Sequence, residues 1–280
     1  MAKTPLRSCM TSVHPTSILS KDCEIGEGVV IGPWCVVSGR VKLADGVRLI
    51  GNVYLNGPLT IGARTVLYPF CAIGFMAQHL KVKQGDPTAG VVIGEDSTLR
   101  EHCTVHAATH DTNPTTVGNR NLMMVNSHLG HDSRTGNDVV LVNNSALGGH
   151  GSVGDNATLG GGALLHQFTR VGRMAFVGGG TRAVADIPPF CSAVERSRLS
   201  GINLIGLRRA GLPRDQITAV REAFRKVFRE PMTRPEMIET LNKLGAKCPL
   251  VAEMAEFVGT CANRPISVGY DRDDREDAMV

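Results

Sequence analysis

Seven of the chain's nine histidines, His102, His106, His110, His128, His131, His150 and His166, lie between positions 100 and 170. His131 is followed directly by Asp132. A carboxylate beside an imidazole holds the ring in one tautomer and supports the cation that forms when the ring takes a proton, as a general base requires. Gly148-Gly149-His150 and His166-Gln167 follow further along the chain. A glycine N–H with no side chain in front of it can stabilise an oxyanion formed next to such a base. The plainer reading is that these histidines decorate a surface. Only the fold decides whether they meet.

The elements that position them follow from a period of six. An aliphatic residue recurs at Val13, Leu19, Ile25, Ile31, Val37, Leu43, Leu49, Leu55, Ile61, Leu67 and Ile73. The period resumes at Ile93, Leu99 and Val105, skips a place, and runs from Val117 to Val177 with Thr135 as its single polar member. Four places after each aliphatic the residue is small or slender, with Leu59 and Asn121 as exceptions. Gly often follows the aliphatic, which reads as a sharp turn. Six residues fit a short strand plus a corner, and three such units close a triangular coil of eighteen. The chain is therefore expected to be mainly β, a parallel β-helix with an apolar column inside. The motif resembles that of hexapeptide-repeat proteins, and that resemblance implies the left-handed form. Adding eighteen to His131 gives Gly149 and then Gln167, and adding eighteen to Asp132 gives His150. These residues should stack on neighbouring coils.

The rest of the chain sets boundaries. Residues 1–186 are expected to form the solenoid, behind a short leader at 1–12 and with two loop excursions at about 74–92 and 107–116. Ile187-Pro188-Pro189 should end it, because proline cannot donate to a paired strand. Residues 187–280 read as a small α-helical C-terminal domain, with helical patterns at about 213–230, 235–244 and 250–258, and a charged tail from Tyr270 to Met279. A formal charge of +4 conceals a local excess: Arg208, Arg209, Arg214, Arg221, Arg225, Lys226 and Arg229 fall close together. Cys23, Cys35, Cys71 and Cys103 occupy the small slot of the repeat and read as buried small hydrophobes, while Cys9, Cys191, Cys248 and Cys261 have no metal spacing. With no signal-peptide pattern and no long apolar run, a soluble cytoplasmic protein without a membrane span is expected.

Several motifs occur in a characteristic order: His14-Pro15-Thr16, Gln78 and Lys81 ahead of Gly85-Asp86-Pro87-Thr88, and Asn126 to Asp132 (Asn-Ser-His-Leu-Gly-His-Asp). Asn143-Asn144, Gly149-His150, His166-Gln167-Phe168 and Gly206-Leu207-Arg208-Arg209 follow. Over about residues 13–260 the sequence resembles the UDP-N-acetylglucosamine 3-O-acyltransferases of early lipid A biosynthesis. The resemblance implies transfer of a (3R)-hydroxyacyl chain from acyl carrier protein to the 3-position of UDP-N-acetylglucosamine, at sites between the subunits of a homotrimer. It makes His131 the base, Asp132 its orienting partner and Gly149 the oxyanion donor. Gln78, Lys81, His106, His128, His150, His166 and Gln167 would line the cleft, with Asn203 and Arg209 near the nucleotide. Gly179 would admit a long acyl chain. No metal and no separate cofactor is implied, since the acyl donor arrives on the phosphopantetheine of its carrier. The sequence departs from the family pattern at His79, where an acidic residue is usual, at Ile205 and Ala210, and at Ser197, near which a family histidine aligns. These departures leave open a related UDP-sugar with a 3-amino group.

The arginine-rich helix is of the kind that steers and docks an acidic carrier protein, or it is simply a solvated face. Nucleic acid is not indicated, because no aromatic interleaving accompanies the charge. Rival readings are an acyl-CoA-dependent transferase, a trimeric scaffold without activity, and a zinc enzyme resembling the hexapeptide carbonic anhydrases. His102, His106 and His110 recur every four residues, which in a strand and corner does not put them on one face.

Overall fold

The computed structural model describes residues 10–261 and 264–269. Cys9 and the segment Tyr270 to Met279 lie outside them. Among the described residues, short strands form three sheets of eleven, nine and eight strands. The first sheet contains Leu122–Met123, Val140–Leu141, Thr158–Leu159 and Phe176–Val177; the second contains Thr104–His106, His128–Leu129, Ala146–Leu147 and Leu164–Leu165. The third contains Thr115–Val117, Arg134–Thr135, Ser152–Val153 and Arg170–Val171. Val140 pairs with Thr158, Ala146 with Leu164 and Ser152 with Arg170, all parallel and eighteen residues apart. This is the parallel β-helix that the period predicts.

Most of these strands are two or three residues long and could not persist alone. Each coil bonds to the next through its backbone, as in His128 N–H to Ser145 O (3.0 Å) and Gly130 N–H to Leu147 O (2.9 Å). Leu67, Leu99, Leu129, Leu147 and Leu159 are fully buried in the column within, each contributing about 1.5–3 kcal/mol on burial. Cys35, Cys71 and Cys103 are buried free thiols in the small slot, and Cys23 is half-buried.

The two polar exceptions to the repeat satisfy each other. The Asn121 amide donates to Thr135 Oγ1 (2.8 Å) and to Gly136 O (2.9 Å), and its oxygen accepts the Val139 N–H (2.6 Å). Thr135 also accepts the Gly118 N–H at 3.3 Å. A polar pair inside an apolar column is tolerable because its hydrogen bonds are made.

The glycines after the aliphatics have a different cause from the one expected. The left-handed residue of the corner is the third after the aliphatic, and it is often not glycine: φ is 54° at Arg120, 60° at Asp132 and 60° at His150. Gly130 instead permits close approach, since a Cβ there would lie 2.9 Å from both Gly149 N and Leu147 O of the next coil.

The corner after each sheet takes that sheet's name. Both excursions leave at the second corner, lengthening the coil so that Ile73 pairs with Val105 and Val105 with Leu129. The later excursion spans about 107–114, because Thr115 already pairs with Val91.

Strand stacking does not stop at Pro188. Ile187 bridges to Val171, and Cys191–Val194 adds parallel to Phe176–Val177 before turning into an antiparallel hairpin with Arg198–Ile202. The prolines sit in a corner, where no ladder donor is required. Four helices follow: α1 (Leu204–Arg209), α2 (Arg214–Phe228), α3 (Arg234–Gly245) and α4 (Pro249–Gly259). The hairpin and α1 were not expected; six residues are too few to show a helical period. The last coil is clamped to α4 by Arg173–Glu253 (2.8 Å) and by Arg170, which bonds Phe257 O (2.9 Å) and the buried Asp186 (2.6 Å). No helix among the described residues is long and apolar enough to cross a membrane.

Asn121→Ala strands the Val139 N–H and takes from the Thr135 hydroxyl its shorter hydrogen bond, and should lower stability by about 1–3 kcal/mol. Adding Thr135→Val should recover part of that loss. A thermal unfolding midpoint unchanged in Asn121→Ala would contradict the pairing.

Candidate active site

His131 and Asp132 form the second corner of one coil. The left-handed φ of 60° at Asp132, a conformation that short polar side chains tolerate best, accompanies a hydrogen bond from His131 Nδ1 to Asp132 Oδ2 of 2.8 Å. The second excursion braces this carboxylate: Thr109 donates its N–H (3.1 Å) and its hydroxyl (2.7 Å), while the Asp132 N–H donates to Thr115 Oγ1 (2.8 Å). Burial pushes the Asp132 carboxyl up, but the hydrogen bonds from His131 and Thr109 and the nearby His150 outweigh it and hold it below its ordinary value. An ionised Asp132 favours the tautomer with its proton on His131 Nδ1, and in a neutral ring that tautomer puts the lone pair on Nε2. Thr109 and Thr115 were not foreseen, since Thr109 lies in the excursion, where no period reaches.

The next coil completes the arrangement. His150 N–H donates to His131 O and Phe168 N–H to Gly149 O, both at 2.9 Å, so His131, Gly149 and Gln167 stack as the eighteen-residue interval requires. A Cβ on Gly149 would lie 2.5 Å from His131 Cε1 and 2.6 Å from Nε2. The imidazole therefore occupies the space of the missing side chain. At the third corner the equivalent N–H groups are capped by the coil above: Glu95 by Asn119 (2.9 Å), Asn119 by Asn137 (2.9 Å) and Asn137 by Asp155 (2.8 Å). Among the described residues the Gly149 N–H makes no hydrogen bond, and the side chain of Gln167, one coil on, makes none either. The site thus sets an uncapped N–H beside an imidazole.

Two imidazoles meet the His131 ring, and a phenyl ring backs one of them. His79, from the first excursion, meets His131 edge to face with centroids 5.4 Å apart; His150 does so at 5.3 Å and is itself stacked on Phe168 at 4.5 Å. His106 and His128 form a separate edge-to-face pair at 4.9 Å, with His128 Nδ1 bonded to Thr104 Oγ1 at 2.7 Å. Burial, then the neighbouring histidines, pushes His128 down to about 4, and burial and His131 also lower His106. Burial likewise lowers His150, against the pull of Asp132. Gln78 and Lys81 are exposed on the first excursion, and His166 is exposed with Nδ1 3.1 Å from Gln167 O.

The remaining expected site residues lie elsewhere in the chain. Gly179 is exposed at the first corner. Asn203 caps α1 through Gly206 N–H (3.0 Å) and donates to Met174 O at the third corner (2.8 Å), tying the helix that carries Arg209 to that corner. Its amide is engaged at both ends in holding the fold. Ser197, near which the family histidine aligns, is buried and accepts the Val184 and Ala185 N–H groups (2.7 and 3.1 Å). One chain alone does not bring Gly179 and Arg209 to the His131 corner.

Comparison with known proteins gives the context for this geometry. An acyl-[acyl-carrier-protein]–UDP-N-acetylglucosamine O-acyltransferase of Mesorhizobium japonicum is 48% identical over 278 residues, which cover 97% of this chain and 99% of that protein. The chain belongs to this acyltransferase family. A member from Thermodesulfovibrio yellowstonii is 38% identical over 251 residues, covering 89% of this chain and 96% of its own length. A family model described as UDP-N-acetylglucosamine O-acyltransferase, domain 2, matches residues 186–266. The crystal structure of the Moraxella catarrhalis UDP-N-acetylglucosamine O-acyltransferase superposes with a TM-score of 0.86 at 33% identity, covering 91% of this chain and 98% of that one. The Francisella novicida acyltransferase gives 0.87 at 28%, covering 95% and 96%.

The proton in the 2.8 Å bond between His131 and Asp132 should give a low-field proton resonance. That signal should vanish in Asp132→Ala, shift or broaden in Gly149→Ala because the new methyl displaces the ring, and persist in His102→Gln. An unchanged signal in Gly149→Ala would show that the ring does not rest on Gly149.

Proposed function

We propose that the protein transfers a (3R)-hydroxyacyl group from acyl carrier protein to the 3-position of UDP-N-acetylglucosamine, an early step of lipid A biosynthesis. The observation that carries the mechanism is the His131–Asp132 pair set against the uncapped N–H of Gly149. His131 Nε2 takes the proton of the sugar 3-hydroxyl as its oxygen attacks the thioester carbonyl. Negative charge gathers on the carbonyl oxygen, where the Gly149 N–H meets it. Collapse of the intermediate breaks the carbon–sulfur bond, and the departing phosphopantetheine thiolate takes the proton back from His131. Asp132, held by Thr109, stabilises the imidazolium between these steps. No cofactor beyond the carrier's own arm enters the reaction.

The corners bear on assembly. Gly179, the helix bearing Arg209 and the base occupy three different corners of one prism, so a site using all of them is completed by a neighbouring copy. A homotrimer with its clefts between subunits meets that need. Gln78, Lys81, His106, His128, His150, His166 and Gln167 then line the cleft, with Asn203 and Arg209 toward the nucleotide, and Gly179 leaves open room for a long acyl chain.

A carrier protein finds its landing face after Asn203. Arg208, Arg209, Arg214 and Arg225 are exposed and have no ion pair among the described residues, whereas Lys226 is neutralised by Glu222 at 2.7 Å. Unpaired cations on one surface attract an acidic partner and lose that attraction with salt. A second acceptor, a UDP-sugar with a 3-amine, is favoured by one observation: His79 stands edge-on to the base where the family usually carries an acid.

His131→Ala should slow acyl transfer by about 100- to 10,000-fold while leaving the assembly intact by size-exclusion chromatography. Wild-type turnover in that variant would remove His131 as base. Running the 3-hydroxyl and 3-amino acceptors side by side separates the two readings: preference for the amine, reduced in His79→Asp, would favour the second.

A further inference from the structure

We propose that His131, Asp132 and His150 form a binding site for a divalent transition-metal ion of the zinc type, and that the bound ion silences the base. Among the described residues these three form the one group of histidine, cysteine and acidic side chains whose ligating atoms all lie within 4.8 Å of one another. Asp132 Oδ2 is 2.8 Å from His131 Nδ1 and 3.6 Å from His150 Nε2. Zinc bound tetrahedrally to nitrogen and oxygen holds its ligand atoms about 3.3 Å apart, so the observed distances straddle the value that an ion would impose.

The donors suit the ion. Two imidazoles and a carboxylate are zinc ligands, whereas magnesium and calcium prefer shells built of oxygen. Three protein ligands also leave a fourth position for water. The rings are already held in place: His131 lies across Gly149 and meets His79 edge-on, and His150 is stacked on Phe168 with the planes 3° apart. Asp132 is braced by Thr109, whose N–H donates to Oδ1 at 3.1 Å and whose hydroxyl donates at 2.7 Å to Oδ2, the oxygen that would ligate, the outer-shell support that metal-binding carboxylates use. Entry of the ion requires His131 and Asp132 to part by about half an ångström, judged against tetrahedral spacing.

The ion takes the place of the proton on His131 Nδ1, and that proton passes to solvent. An imidazole with a dication on one nitrogen is a poor proton acceptor at the other. Binding and acyl transfer therefore exclude each other, a consequence that rests on His131 being the base. In a zinc enzyme the same ion would be required for activity, so the sign of its effect separates the two.

Zinc titration of the full-length protein, by calorimetry with a competing chelator, tests the site directly. One ion per chain is expected, bound about tenfold or more weakly in His150→Gln and in His131→Ala. His102→Gln should match wild type, since that ring stacks on Phe70 at the first corner. Acyl transfer measured in parallel should fall along the wild-type binding curve and return with EDTA. Absence of stoichiometric binding, or binding indifferent to His150→Gln, overturns the site and leaves the acyltransferase reading standing. Binding at the site with transfer undiminished or raised overturns the exclusion and counts against His131 as base.

Discussion

The register of one coil on the next is the constraint on which everything else depends. A two-residue strand has too little structure to choose its own pairing. The aliphatic in each hexapeptide makes the choice, because a slip of one residue would turn the buried column outward. Once Leu129 sits under Leu147 and Leu147 under Leu165, the corners that follow are in register as well. Register thus brings His131 over position 149, and the glycine there leaves the room the ring takes.

The same scaffold treats its corners differently. At the third corner, Asn119, Asn137 and Asp155 cap the backbone of the coil below, and Arg120 is paired with Asp138 at 2.7 Å. At the second corner the rung at Gly149 is left bare, glycine replaces a side chain, and two excursions leave the coil. An uncapped N–H costs stability when dry, and it is the group an oxyanion needs. Local regularity is given up where chemistry is proposed, while the apolar column and the clamp of Arg170 and Arg173 onto the helical domain keep the coil rigid around it.

Much of this was legible in the sequence wherever the period ran. The coil, the buried thiols of the small slot, and the stacking of His131 on Gly149 follow from counting in eighteens. What the count could not reach lay outside the repeat. Thr109 braces Asp132 from an excursion that has no period, and His79 arrives from the other excursion, where the residue types gave no hint of the ring contact with His131. The hairpin at Cys191–Val194 and Arg198–Ile202 and the six-residue α1 were too short to leave a pattern. Pro188 and Pro189 signal a stop because a ladder cannot use proline, yet a corner can. Asn203 also packs α1 against the last coil, a role that needs three-dimensional neighbours to be seen.

His131, Gly179 and the helix bearing Arg209 occupy separate corners of one chain, so the proposed site, which uses all three, requires neighbouring copies to share it. Hybrid assemblies of His131→Ala chains with Arg209→Ala chains test this most directly, because each variant lacks a different part of the site. Both parents are expected to be slow and the mixed assembly to regain transfer, through clefts that combine an intact His131 from one copy with an intact Arg209 from the next. A mixture no faster than the average of its parents would contradict it and return the whole site to a single chain.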